Sequence, residues 1–358
     1  MTAAGILPGL AYGDALGCPI ETWSAVQIRS IYGVYQGLPE QHPMQEIRQQ
    51  FPQQLRRLRP LGIHSDDTQQ AMALINVCRE GFTPERWSRW LIEGLRSGAF
   101  RGYGRHFSAA VHALRKGKDF RSSGSPSAGM GAAMRVAPLA ALYSTPEELS
   151  EVVVASSLMT HAHGVAAFTA YAVAACAFGF LQGLGVAEVQ QKLPIWVRNA
   201  EEIWLSRPDW SFDRTDGHLV SDTLQAAFRQ NFRDHKSLGD WISETAKPHL
   251  ADDFTRAHPN QGYGLLGGLH GILMALQPQD PLDLLDEIVR LGFDTDTVAA
   301  IAGGILGARH GAGWIPMQKL LDRDRILAYA EGNTEDLSTY LKAEIAWTEK
   351  EKAFQQAL

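Results

Sequence analysis

Apolar residues recur at three- and four-residue steps along most of the chain, the spacing that lines one face of a helix. In DTQQAMALINVCREG (67–81) they are Ala71, Leu74, Ile75 and Cys78, and Gly81 marks the end. In TPERWSRWLIEGLRSG (83–98) a Thr cap and a Pro precede Trp87, Trp90, Leu91 and Leu95 on one face. The pattern predicts further helices over 106–116, 145–159, 186–205, 220–231, 237–246, 263–276, 281–291, 297–309 and 335–355. No segment alternates in the manner of a strand, and β-branched clusters are scarce, so the expected fold class is all-α. Only short turn signals such as GSPSAGMG (124–131) separate the helices, and no Ser- or Pro-rich linker divides the chain. Residues 1–358 are therefore expected to form a single domain ending in the 335–355 helix. Residues 28–61, rich in Gln, Pro and Arg, have the weakest periodicity and are expected to be an irregular surface loop able to cover a site.

One stretch, GVAAFTAYAVAACAFGFLQGLGVA (164–187), is uncharged and long enough to cross a bilayer. It is built of Ala and Gly rather than Leu and Ile. A helix apolar on every side belongs at the centre of a large helical protein, so a buried central helix is expected and a membrane span is not. Composition adds little to this picture: 45% hydrophobic and 20% charged residues with a net charge of −6 offer no electrostatic sign of nucleic-acid binding. The basic cluster QQLRRLRP (53–60) is read as a solvated helix face. The N-terminal stretch has no basic region and carries Pro8 and Asp14 inside its apolar run, unlike a cleaved signal. Cys18, Cys78 and Cys176 are odd in number and widely spaced, which fits a reducing cytoplasm.

The candidate chemistry lies at two helix starts. HSDDTQQAMALI (64–75) gathers Ser65, Asp66, Asp67 and Thr68, and GFDTDTVAAIAGG (292–304) gathers Asp294, Asp296 and Thr297. Capping accounts for a single Asp or Thr at each start. Adjacent carboxylates such as Asp66 and Asp67 repel unless a cation or strong donors sit between them. If the two starts converge, four carboxylates and two hydroxyls form an oxygen-only cage suited to a pair of Mg²⁺ or Mn²⁺ ions. A third polar element, GLAYGDALGCPIE (9–21), sets Gly13, Asp14, Gly17 and Glu21 along an apolar helix. Asp14 there is costly to bury without partners. It reads as a buried hydrogen-bond hub, and Glu21 as an exposed carboxylate past Pro19.

GDALGxxxE (13–21), SDDT (65–68), RGYG (101–104), GxGAAMRVAPL (129–139), TH (160–161) and GxDTDTxAAIAGGxxGAxxGxxxIP (292–316) follow one another as in the ADP-ribosylglycohydrolase family, which the chain resembles from about residue 5 to about residue 316. That family includes the dinitrogenase reductase activating glycohydrolase and the mammalian ADP-ribosylarginine and ADP-ribosylserine hydrolases. The resemblance implies an orthogonal helix bundle and a binuclear Mg²⁺ or Mn²⁺ centre ligated by Ser65, Asp66, Asp67, Asp294, Asp296 and Thr297. It implies hydrolysis of the N- or O-glycosidic bond between ADP-ribose and a modified side chain. It further implies that Glu21 rides on a mobile flap, that Gly102, Gly104 and Ser127 to Gly131, including Gly129, line the diphosphate and ribose site, and that His161 closes the pocket. Glu21, Asp66 and Asp67 are the catalytic candidates.

These roles make physical sense. Glycines let a backbone approach a phosphate closely, and loop N–H groups hold its charge. A metal pair grips vicinal hydroxyls and acidifies a water, while carboxylates stabilise oxocarbenium-like charge. The chain departs from the family pattern at Ser65, where Thr is usual, at Met130, where Asn is usual, and at Phe293, where Gly is usual. Ser65 keeps the hydroxyl, whereas Met130 removes a polar group and bears on linkage specificity and on activity. His163, His270 and His310 read as structural, Cys18 as a small buried residue, and Trp87, Trp90, Trp196 and Trp204 as core. Arg135 reads equally as a phosphate contact or as a buried salt-bridge partner. The expected function is removal of ADP-ribose from ADP-ribosylated protein, arginine-linked first. The rivals are a catalytically silent ADP-ribose-binding protein and an immunity factor that neutralises an ADP-ribosylating toxin by reversal or by occlusion, with residues 28–61 as the contact.

Overall fold

In the computed structural model, which describes residues 3–250 and 257–358, each predicted helix has a counterpart and no β-strand occurs among the described residues. The first six helices are α1 (Ile6–Gly17), α2 (Ala25–Tyr32), α3 (Met44–Gln50), α4 (Asp66–Arg79), α5 (Pro84–Arg96) and α6 (Arg105–Arg115). After a long irregular passage come α7 (Pro146–Leu158), α8 (Gly164–Leu181), α9 (Val186–Leu205), α10 (Leu219–Ala227) and α11 (His235–Ala246). The chain continues with α12 (Leu269–Ala275), α13 (Pro281–Arg290), α14 (Thr295–His310), α15 (Arg323–Ala330) and α16 (Leu337–Gln356). Thr83, Thr145, Asp280 and Asp336 accept hydrogen bonds from early backbone N–H groups of α5, α7, α13 and α16. Each such cap satisfies a donor that the helix itself cannot, which is why these helices begin where they do.

The core is organised by α8 and by the pair α1 and α14. Residues 164–180 of α8 are all buried, against α7, α9 and α14, so its membrane-like hydropathy is spent inside the protein. All twelve residues of α1 are buried as well. It lies along α14 at backbone contact, and a Cβ on Gly9 would stand 2.2 Å from the Gly303 carbonyl oxygen. One on Gly13 would stand 2.0 Å from the Ala299 oxygen. Only glycine permits so close an approach. The seam runs on to Gly17, where a Cβ would meet the Asp296 backbone nitrogen at 2.3 Å. The end of α1 is thereby fixed against the first turn of α14.

The 28–61 segment differs from its expected irregular form. It contains α3 and a 3₁₀ turn (Pro52–Arg57), follows directly from α2, and buries Ile28, Ile31, Tyr35, Leu38, Ile47 and Leu58. Helices of seven and eight residues are too short for the periodicity of a longer window to register. The basic cluster is likewise only partly a solvated face, since Arg56 and Arg57 are exposed but Arg59 is 8% exposed and turns inward. At the other end, α15 also escaped prediction, and α16 matches the expected C-terminal helix.

Candidate active site

The two acidic helix starts do meet, and α1 brings them together. The Asp14 carboxylate accepts hydrogen bonds from Ser65 N–H (2.9 Å), Thr68 N–H (3.0 Å) and Thr68 Oγ1 (2.6 Å) at the start of α4. Three residues on, the Gly17 carbonyl accepts from Thr295 Oγ1 at 2.9 Å at the start of α14. Asp14 is thus a buried hub, its charge dispersed over N–H and O–H donors that α4 would otherwise leave unpaired. Cys18 Sγ adds a fourth donor at 3.1 Å, and burial foremost pushes its thiol pKa well up, so it is a small buried donor and not a nucleophile.

A cleft of about 290 Å³ opens beside these helix starts. One wall carries Glu21, Asp66, Asp67, Asp294, Asp296 and Thr297. The same cleft is lined by Gly102, Gly104, Ser127, Gly129, Gly131 and His161. Ser65 stands one layer back, its hydroxyl donating to Asp67 Oδ2 at 3.0 Å and accepting from Asp67 N–H as the cap of α4. At α14, by contrast, the Asp294 side chain makes no capping bond, while Asp296 Oδ1 accepts from Thr297 N–H at 3.0 Å, so capping accounts for only part of the carboxylates there.

Burial dominates the electrostatics of the acidic wall, and like charge adds to it. Burial above all, with Asp14 and Glu21 adding and Arg59 opposing, pushes Asp66 up to about 7. Burial and Glu21 push Asp294 up to about 6. Asp67 and Asp296 are also held well above the usual carboxylate range, by burial first and then by their acidic neighbours. One oxygen, Asp67 Oδ1, is buried with no hydrogen-bond partner. Unpaired carboxylate oxygens in such a cluster form a donor set for a hard divalent cation. Two other acidic groupings are already satisfied from within. The first, Asp14, Cys18 and Asp296, shares Asp296 with the acidic wall, and its Asp14 pairs with Cys18 and with the start of α4, while His64, Asp322 and Glu344 are bridged by Arg101 and Arg325.

The glycine lining is shaped by its neighbours. Gly102 has φ +79°, and a Cβ there would stand 2.6 Å from Arg59 Nη2 and 3.3 Å from Asp66 Oδ1. A Cβ on Gly131 would stand 2.9 Å from the His161 ring. Burial, then Arg135 and His106, lowers His161 to about 3, so the ring is neutral, and its Nδ1 lies 2.9 Å from Thr160 Oγ1. Met130 is buried and occupies the space over Gly267, so this chain packs a thioether where an amide was expected.

Arg135 takes neither of its two expected roles. It is fully buried, and donates to Gln70 Oε1 at 2.5 Å, Ser156 O at 3.0 Å and Thr160 Oγ1 at 2.9 Å. Gln70 in turn donates to Asp66 Oδ2 at 2.7 Å. The arginine therefore links the acidic wall to the His161 side through neutral partners of its two Nη groups, while its Nε is buried without a hydrogen-bond partner. Gln70, Arg105, His106, Phe107, Met134 and Gly262 line the cleft but were not singled out from sequence. Gln70 carried a signal, standing four residues after Asp66 and so on the same helix face. His163 caps α8 and His270 Nδ1 meets Asn260 Oδ1 at 2.7 Å, as structural histidines do.

Comparison with known proteins identifies the family and the fold. The ADP-ribosylglycohydrolase family model matches residues 2–345. An uncharacterised protein of Archaeoglobus fulgidus is 28% identical over 335 residues, covering 88% of this chain and 90% of its own. The ADP-ribosylhydrolase ARH3 of Bos taurus is 24% identical over 339 residues, covering 87% and 86%. A solved structure described as an ADP-ribosylglycohydrolase-related protein complex shares the fold, with a TM-score of 0.62 and 23% identity over 94% of this chain and 96% of that one. With a match across nearly its whole length, the chain belongs to the ADP-ribosylglycohydrolase family.

Proposed function

We propose that this chain hydrolyses the glycosidic bond between ADP-ribose and a modified protein side chain, with arginine as the preferred linkage. The observation that carries the reading is the convergence of Asp66, Asp67, Asp294, Asp296 and Glu21 on a single cleft that is also lined by glycines. Ser65, Asp66, Asp67, Asp294, Asp296 and Thr297 would hold two Mg²⁺ or Mn²⁺ ions, for which the oxygen-only set and the orphaned Asp67 Oδ1 are suited. When bound, such ions supply Lewis acidity and acidify a coordinated water.

The residues of the chain do the rest. Backbone N–H groups around Gly102, Gly104 and Ser127 to Gly131 receive the diphosphate and ribose, where a Cβ would intrude. The Gln70 amide holds one oxygen of Asp66, leaving the other to face the cleft. Glu21, at 32% side-chain exposure, stands where it can take a proton from water or stabilise positive charge building at the anomeric carbon. Neutral His161 offers a hydrogen bond without adding charge. The setting we assign is the cytoplasm, consistent with three buried free thiols.

A second reading, the silent ADP-ribose binder, is favoured by Met130 alone. The occluding immunity factor loses its motive, because residues 28–61 are packed and not a loose contact loop. The test is release of ADP-ribose from arginine-ADP-ribosylated protein with Mg²⁺, with EDTA and with Asp66→Ala. Metal-dependent release that the variant abolishes is expected. Cleavage of serine-linked ADP-ribose alone would overturn the arginine preference, and ADP-ribose binding without any release would overturn the enzyme.

A further inference from the structure

The mouth of the cleft is set by two arginines that share one distant carboxylate. Arg59 Nη2 lies 3.3 Å from Glu21 Oε2, on the acidic side of the mouth. Its Nε lies 3.5 Å from Glu351 Oε1. The second oxygen of Glu351 lies 3.2 Å from Arg101 Nε, and Arg101 immediately precedes Gly102, where a Cβ would stand 2.6 Å from Arg59 Nη2. Arg101 also pairs with Glu344 at 3.3 Å and donates to the His64 carbonyl at 2.7 Å. The Arg59, Arg101 and Glu351 side chains are 10%, 3% and 12% exposed, so water screens these pairs little. Glu351 belongs to α16 and lies beyond the residues 2–345 that the family model matches.

We propose that Glu351 is a remote positioning residue, which through Arg59 and Arg101 sets the separation of Glu21 from the Gly102 loop. Arg101 Nε and Glu351 Oε2 are both buried without a hydrogen-bond partner, so Glu351 couples to the two guanidinium groups by charge, at 3.2 and 3.5 Å, and moving α16 moves both arginines. The loop that carries Glu21 is also pinned to the start of α14 by a backbone pair. Thr22 N–H donates to the Phe293 carbonyl at 2.7 Å, and Phe293 N–H donates to the Trp23 carbonyl at 2.8 Å. Those two amides report whether the Glu21 loop is held. Glu351→Gln keeps the shape and removes the charge that both arginines read. Its catalytic effect rests on the role given to Glu21 above, whereas its effect on the loop does not.

Hydrogen exchange at Thr22 and Phe293, with turnover of arginine-ADP-ribosylated protein, tests the proposal. In Glu351→Gln we expect exchange at both amides to quicken by about tenfold while the helical signal is retained. We expect kcat to fall by about tenfold with KM within about twofold, as for a displaced catalytic group. The Glu21→Gln, Glu351→Gln double variant should be no slower than Glu21→Gln alone, since both act through one carboxylate. Should Glu351→Gln lose helix content, Arg59→Lys reads the same link, as an ammonium cannot meet both carboxylates as the fork does. Unchanged exchange at both amides overturns the proposal, and so does an additive loss in the double variant. If the unaltered protein releases no ADP-ribose from any linkage, the function proposed above fails, and hydrogen exchange alone decides this one.

Discussion

Gly13→Ala tests the claim that the glycine seam, and not the acidic residues themselves, brings the two halves of the site together. A Cβ at Gly13 would stand 2.0 Å from Ala299 O and 2.4 Å from its carbonyl carbon, against the 3.0 Å that real Cβ contacts respect. The obstacle is backbone in mid-helix and cannot rotate away, so α1 and α14 must part by about 1 Å. A gap of about 0.5–1 Å already forfeits a quarter to a half of each dispersion contact along the seam. Overpacking of this kind costs about 1–3 kcal/mol, and the upper end applies where nothing can yield. The better helix propensity of Ala returns about 1 kcal/mol. The net loss is about 2 kcal/mol, which for an unfolding entropy of about 2.1 cal/mol/K per residue lowers Tm by about 3 °C. Gly239→Ala in α11 is the control, since its Cβ would meet only Pro259 Cγ at 3.3 Å, and it should leave Tm unchanged or slightly raised. Because the seam ends at Asp296, Gly13→Ala should also weaken Mn²⁺ binding, by about fivefold or more in calorimetry. A Tm equal to the control with unaltered Mn²⁺ affinity would refute the reasoning.

Two further predictions concern charge and strain. In EDTA-treated protein, the raised pKa of Asp66 means the folded state binds more protons than the unfolded one, so stability falls as pH rises through about 7. Buried neutral His161 and His270 act in the opposite sense over the same interval, so the prediction is read against Asp66→Asn, in which their contribution cancels: without metal, the Tm of the parent relative to this variant should be higher at pH 6.5 than at pH 8. A parent-minus-variant Tm that rises with pH without metal would contradict the assignment. Phe293 has φ +66° and stacks on His258 at 4.0 Å between ring centroids. Phe293→Gly relieves about 1–2 kcal/mol of left-handed strain while losing a stack worth about 0.5–1.5 kcal/mol. Chemical denaturation should find it within about 1 kcal/mol of the parent, and a loss near the 3–5 kcal/mol of an ordinary Phe truncation would show that the side chain is part of the core.

The long amphipathic helices were legible because many turns repeat one apolar face, and the buried α8 because its small residues argued against lipid. The short α2, α3 and α15 were not, having too few turns to set a period against Gly and Pro interruptions. At the site, the acidic residues could be named but their meeting could not, since it depends on Asp14 and Gly17 each reaching a different helix start. The spacing of Gly5, Gly9, Gly13 and Gly17 at every fourth residue was the visible trace of that seam. Arg135 was misjudged because its partners, Gln70 and Thr160, are neutral and offer no charge pattern to pair it with. Arg59 and Glu351 stand 292 positions apart, and nothing local marks them as partners.

The seam also dictates an order of events while the protein is being made. All of α1 is buried and all but Asp14 of it is uncharged, yet its partner α14 is complete only roughly 290 residues later. At about 5–20 residues per second, α1 leaves the ribosome about 15–60 s before α14 can cover it. For that interval an apolar, glycine-striped helix is bare, and the nascent chain needs a temporary cover from a chaperone or from its own early helices. Translation stopped anywhere before α14 would release a chain with an uncovered α1 and half a set of acidic residues, a candidate for aggregation and not for partial activity.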